Sequence, residues 1–181
     1  VNNRNSGKAV RTGKSVSVGG GGGGGGGAGK GCTGSNTTIL NGNQSAGSCP
    51  PSGTSGNSSC TDPAFVGLTG DAFFNLFFGT TKAELKSSAT QTLTNTQPTE
   101  PANGELVWVD ITSNSFNISG NRTYGTVADP VIIILNGDAD IQGNVTIRGV
   151  LYVTGNLTLR GTLDIEGAVI VEGAATVTGN A

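Results

Sequence analysis

From Gly137 to the end of the chain a glycine returns every sixth residue, at Gly137, Gly143, Gly149, Gly155, Gly161, Gly167, Gly173 and Gly179. The blocks between them carry apolar residues at their second and fourth positions: Ala139/Ile141, Val145/Ile147, Leu151/Val153, Leu157/Leu159, Leu163/Ile165, Val169/Val171 and Ala175/Val177. Two apolar residues two apart make a short strand with one face inward. A glycine at each junction lets the backbone turn with no Cβ in the way. This pattern predicts a β-solenoid.

A second periodicity fixes the number of sides. If three blocks make one coil, residues 18 apart stack, so Val150-Leu151-Tyr152-Val153 lies over Ala168-Val169-Ile170-Val171 and Ile132-Ile133-Ile134-Leu135. These are the blocks whose outward positions are apolar as well. The other two sides carry Asp140, Thr158 and Thr176, or Thr146 and Asp164, outward. The expected fold is therefore mainly β, a three-sided parallel β-solenoid with 18-residue coils. Arg148 should meet Glu166 across one strand spacing, adding a few tenths of a kcal/mol at ~5 Å. Each buried aliphatic side chain contributes roughly 1.5–3 kcal/mol before entropy is counted.

The apolar side needs a cover, because Ile132, Ile134, Val150, Tyr152, Ala168 and Ile170 would otherwise form a contiguous exposed patch. The internal candidate is the segment 71–78, with Phe73, Phe74, Phe77 and Phe78 on a short helix packed on that side; another protein is the alternative. Thr69 or Asp71 can cap its start and Gly79 its end. Thr81 and Glu84 have capping-box spacing and mark a second short helix.

The remaining chain divides into a polar, glycine-rich arm with cysteines (1–61), the helical insert (62–92), a linker (93–104) and the solenoid (105–181). Residues 105–112 read as a strand. Phe116, Ile118 and Gly120 read as an irregular first coil, with Asn121 to Asp129 as an insertion. The unbroken nine-glycine run Gly19–Gly27 reads as a flexible linker, and Cys32 to Cys60 as loop. Cys32, Cys49 and Cys60 are disulfide candidates, as Cys49–Cys60 or Cys32–Cys60, since their neighbours are polar. The chain begins at Val1 and holds no methionine, so removal of an initiating segment is expected.

Chemistry is sparse. A net charge of −2 gives no case for nucleic acid, although Arg4, Lys8, Arg11, Lys14 and Lys30 precede the first acid, Asp62. Gly13-Lys14-Ser15 lacks the glycine spacing of a phosphate loop, because five residues rather than four separate it from Gly7. No histidine is present, which argues against the acyltransferases built on hexapeptide solenoids and against zinc. Asp138 and Asp140 read as turn acids, with a calcium contact as the sharper alternative. The expectation is no catalytic residue, no cofactor, no metal and no membrane span.

The segment Asp129-Pro130-Val131-Ile132-Ile133-Ile134-Leu135-Asn136-Gly137-Asp138, with the Gly-Asn-Val-Thr-Ile-Arg-Gly ladder after it, resembles the C-terminal region of bacterial PilX-like type IV pilus assembly proteins. The resemblance covers 105–181 and implies a minor-pilin-like structural component, extracellular, at the cell surface or periplasmic, working with other protein subunits in a homo- or hetero-oligomer. The ladder also resembles bactofilins, whose β-helices polymerise end to end. A surface adhesion module is the further alternative. Both readings share one physical idea, open strand edges that invite another chain, expected here where the last coil stops after Gly179-Asn180-Ala181.

Overall fold

In the computed structural model the described residues are 68, 70–114 and 116–178, with the backbone alone of four N-terminal strands at 9–12, 16–18, 38–41 and 58–61; the side chains of Leu163 and Val177 are likewise not described. Those four strands are β1 (Ala9–Thr12), β2 (Val16–Val18), β3 (Thr38–Asn41) and β4 (Ser58–Thr61). Two helices follow, α1 (Gly70–Phe78) and α2 (Lys82–Ser87). Then come β5 (Gln91–Thr94), β6 (Leu106–Asp110), β7 (Asn117–Ile118), β8 (Asn121–Tyr124) and β9 (Val131–Asn136). Two long strands, β10 (Ala139–Val153) and β11 (Leu157–Val171), and the short β12 (Ala175–Val177) complete the chain. The fold is mixed α/β, with one mainly parallel sheet and a short Phe-rich helix.

The expected 18-residue register holds where the ladder is regular. β10 and β11 pair in parallel along their whole length, from Ala139 opposite Leu157 to Val153 opposite Val171. β10 meets three strands in turn on its other edge: Asp140–Ile141 pair with β7, Asn144–Ile147 with β8, and Gly149–Val153 with β9. The offset is 18 residues for β9 but 23 for β7 and β8, as in the side-chain bond between Asn144 and Asn121. The extra residues lie between β8 and β9. The insertion is therefore shorter than expected, because Asn121–Tyr124 is itself a strand.

Glycine is required where neighbouring layers touch. Gly149 has φ +143°, and a Cβ there would fall 1.9 Å from the Val131 carbonyl oxygen. Gly167 repeats this at φ +157°, 1.8 Å from the oxygen of Gly149. No side chain fits between them. Inward positions gather into one buried cluster that includes Val107, Ile118, Tyr124, Ile133, Ile147, Leu151, Leu159 and Val169. A polar column runs beside it at the Asn156 turn. The Asn156 N–H donates to Asp138 Oδ1 at 2.7 Å, and the Ala174 N–H donates to Asn156 Oδ1 at 3.0 Å. Asp138 and Asn156 at that corner thus each accept from a backbone N–H one layer on.

Local signals placed both helices. Gly79, at φ +68°, ends α1, its N–H donating to the Asn75 carbonyl at 2.8 Å. Thr81 and Glu84 form a complete capping box. The Thr81 backbone N–H and then the Thr80 and Thr81 hydroxyls hold the Glu84 carboxyl down to about 2.

The arm departs from expectation. The segment read as a polar arm contains β1 to β4, with β3 and most of β4 inside the stretch read as loop, and all four pair in parallel with other strands of the sheet. The main strand path runs β4-β3-β1-β11-β10-β9-β6-β5. The expected disulfide is also corrected, since none is present among the described residues. Cys60 lies in β4 opposite Leu40 of β3, so strand pairing organises this segment. Cys32, Cys49 and Gly19–Gly27 lie outside the described residues.

Candidate interaction surface

The parallel register lines up two outward rows on one face. Leu106, Ile132, Val150 and Ala168 form one row, and Trp108, Ile134, Tyr152 and Ile170 the other. Helix α1 lies on them. Phe73, Phe74, Ile134 and Tyr152 are fully buried, Trp108 and Ile170 nearly so, with Phe77, Phe78, Ile132 and Val150 packed partly buried around them. Ala168 is half-buried. The Phe74 ring meets Tyr152 edge-on at 5.0 Å between centroids and Trp108 at 6.3 Å. Phe78 approaches Tyr152 at 5.4 Å. Such edge-on pairs add about 0.5–1.5 kcal/mol each beyond area burial. Of the residues expected on the apolar side, all but Ala168 come together in one cluster with α1, and Ala168 is aligned with them by register alone. Trp108 and Leu106 were not placed on this face by sequence. Their offset to β9 departs from 18, so the vertical match that revealed the other rows is missing.

Two polar clasps hold α2 beside that cluster. Lys82 Nζ lies 2.7 Å from Glu172 Oε1, which also accepts from the Tyr152 hydroxyl at 2.9 Å. The same ammonium stands 5.9 Å from the centre of the Phe74 ring. Burial, then the Glu172 charge, pushes the Tyr152 phenol far above its ordinary range. Lys86 Nζ lies 2.7 Å from Asp110 Oδ2, while Trp108 Nε1 and Asn136 Nδ2 donate to Asp110 Oδ1. Partial burial raises the Asp110 carboxyl, but the bonds from Lys86, Asn136 and Trp108 outweigh it and leave the carboxyl below its usual value. None of these groups is arranged as a nucleophile beside a base.

The expected bare edge at the C-terminal end is occupied. β1 lies in parallel on β11, from Ala9 opposite Ala168 to Thr12 opposite Val171. β2 lies on β12, from Val16 opposite Ala175 to Val18 opposite Val177. Both pairings share one sequence offset, so the first strands of the chain continue the ladder beyond β11 and β12. A signal for this was present: Gly7, Gly13 and Gly19 also recur six apart, with Val10, Val16 and Val18 between them. Lys14 and Ser15, tested above as part of a phosphate loop, fall in sequence between β1 and β2 and lie outside the described residues. The ends of the strand path are now β4 and β5.

The segment 93–104 is not a free linker. Leu93 and Thr94 belong to β5, paired with β6, and Pro98 and Ala102 are buried. Asn95, Gln97, Glu100, Phe116, Asn117 and Arg122 line part of a groove of about 960 Å³. Its polar groups hold the fold together. Asn95 Oδ1 accepts from the N–H groups of Thr112 and Ser113, and Glu100 accepts from Arg122 at 2.8 Å and from the Thr123 N–H. Among the described residues no cluster of three or more His, Cys, Asp or Glu side chains is placed to hold a metal ion. Asp138 bonds the Asn156 turn, and Asp140 Oδ2 receives Gln142 and lies 3.2 Å from Arg160 Nε. Among the described residues no helix is long and apolar enough to cross a membrane.

No curated protein and no solved structure matches this chain. Neither resemblance drawn from the ladder, to PilX-like proteins or to bactofilins, thus acquires a matched relative. One family does match, over residues 53–180, which takes in α1, α2 and every strand from β4 to β12. The chain belongs to that family, described as a domain of unknown function, DUF8470.

Proposed function

We propose that this protein is a non-enzymatic structural component of a bacterial surface assembly, outside the cytoplasm, built as a three-sided parallel β-solenoid. The carrying observation is the unbroken parallel strand path that ends in β4 and β5. Parallel strands stacked in register expose one row of backbone donors and acceptors at each end, and such rows pair with further strands. The two ends differ in sequence, so a contact between them is head-to-tail and generates an open filament. The three successive partners of β10 support closure into a three-sided coil, each partner supplying one side. Minor-pilin-like and bactofilin-like parts are the two forms of this reading, with homo- or hetero-oligomeric partners. The apolar face favours neither, because α1 covers it.

Sedimentation of the full chain over a wide concentration range, with electron microscopy of the same samples, tests the proposal. Assembly that grows with concentration, in particles whose long axis follows the strand stack, is the expected result. A monomer at every concentration that binds a glycan specifically would replace it with the adhesion reading. An experimental structure with the three segments of β10 in one flat layer would remove the solenoid.

A further inference from the structure

We infer that the groove lined by residues 95–100 and by β7 and β8 binds an uncharged carbohydrate, with Gln97, Asn117 and Arg122 as the groups that touch its hydroxyls. The inference does not depend on the assembly reading above. At about 960 Å³ the groove falls within the roughly 300–1,000 Å³ of small-ligand sites. Among the described residues its lining holds one acid and one base, Glu100 and Arg122, and they cancel. Arg122 Nη1 lies 2.8 Å from Glu100 Oε2, and the bond from Arg122 holds the Glu100 carboxyl below its usual range. The rest of the lining is amide, hydroxyl and the apolar surface of Pro98 and Phe116. An acidic polymer or a phosphate would find only an arginine that is already paired. Carbohydrate hydroxyls both donate and accept, which matches side-chain amides that do the same.

Besides the bonds that hold the loop, the groove keeps hydrogen-bonding groups in reserve. Gln97 accepts from the Ser119 N–H through Oε1 at 3.3 Å, which leaves its amide nitrogen unbonded among the described residues. Arg122 directs Nε to the Ser119 carbonyl and Nη1 to Glu100, and its other terminal nitrogen is likewise unbonded. The side-chain amide of Asn117 has no partner among the described residues. Two buried side-chain polar atoms also lack a partner there, the Tyr124 hydroxyl and Asp140 Oδ1. Both belong to residues beside the lining. Tyr124 follows Arg122 by two along β8, on the same face of the strand. Burial pushes its phenol up to about 12, with the charges of Arg122 and Glu100 acting on it in opposite directions. Asp140 stands opposite Asn117 in the sheet, one strand spacing of about 4.8 Å away. Buried polar atoms are ordinarily paired, and an unpaired one costs free energy. Once the half-buried Asn117 side chain turns aside, one ligand hydroxyl accepts from its Nδ2 and donates to Asp140 Oδ1.

Isothermal titration calorimetry of the full chain tests the site. The probes are linear hexamers of glucose, mannose and N-acetylglucosamine, with a galacturonic acid hexamer as the acidic control. Saturable binding of at least one uncharged hexamer is expected, and none of the acidic one. Asn117→Ala should weaken that binding about tenfold with an unchanged melting temperature, because its side chain bonds nothing in the fold. Gln97→Glu keeps the oxygen that accepts from Ser119 and replaces only the unbonded nitrogen, so it should weaken binding by a similar factor even if Asn117→Ala folds poorly. Thr146→Ala, away from the groove, should leave affinity as it was. No heat from any uncharged hexamer at millimolar concentration would overturn the inference. So would full affinity in Gln97→Glu, or tighter binding of the acidic hexamer. Oligomeric state, read separately by sedimentation, decides between assembly and adhesion and does not bear on this site.

Discussion

The ladder between Ala139 and Val171 carries two kinds of outer surface on one repeating backbone. Along 150–153 and 168–171 the outward positions are Val150, Tyr152, Ala168 and Ile170, and helix α1 buries most of them. Along 144–148 and 162–166 they include Thr146, Arg148, Asp164 and Glu166, half-buried or exposed. The inward residues and glycine turns follow the same rule in both stretches, whatever lies outside them. What the outward residues decide is whether the face takes a cover. Aromatic and branched residues there recruit a helix, and hydroxyls and charges leave the ladder facing solvent.

The comparison breaks most sharply at the shared interior. Leu151→Asp should abolish cooperative folding, since an unpaired buried charge costs upward of about 4 kcal/mol, whereas Thr158→Ser should stay within ~0.5 kcal/mol. Similar urea midpoints for the two would contradict the register. Phe74→Ala comes next, at roughly 3–5 kcal/mol. It should redden the emission of Trp108, the only tryptophan, while the far-ultraviolet strand signal persists. Loss of the strand signal would show that the ladder depends on its cover.

Gly167→Ala should cost about 1–3 kcal/mol or more, because a Cβ meets backbone rather than a movable side chain. A neutral result in thermal melting would mean that the layers are looser than drawn. The pH dependence is smaller. Asp110 titrates lower in the folded protein than its usual 3.8, so its contribution is present above that value and is lost as pH falls through the folded one. Trp108 fluorescence, sensitive to its bond with Asp110, should change in that acid window, and Lys86→Met should move the change to higher pH. Arg148→Ala is expected to be smallest, ~0.2–1 kcal/mol and erased by salt, because its 3.0 Å pair with Glu166 is largely solvent-exposed. A larger loss would give the uncovered sides a stabilising role they are not assigned here.

Much of this was legible in the chain. The partners Arg148 and Glu166, the Phe-rich cover, the Thr81–Glu84 cap and the Gly79 stop all follow from residues within one 18-residue repeat or one helical turn. Three features were hidden. Trp108 joined the apolar face unannounced, since an irregular connection displaces its register. The segment 93–104 looked like linker because its packing depends on Asn95 and Glu100 bonding to residues far along the chain. The N-terminal strands carried the six-residue glycine spacing, but in a composition otherwise read as polar arm. Of the candidate residues, the apolar set came together, while a disulfide through Cys60 did not form among the described residues.

Sequence alone determined the rung: which residues face in, where the backbone turns, and that layers lie 18 residues apart. These are local consequences of side-chain alternation and of glycine at points where two backbones touch. Tertiary structure alone decided the order of the strands, with β1 placed beyond β11, and β4 and β5, consecutive strands in the chain, at opposite ends of the path. That order is set by which edges remain unpaired once the ladder has formed, and an edge is a property of the stack rather than of any segment.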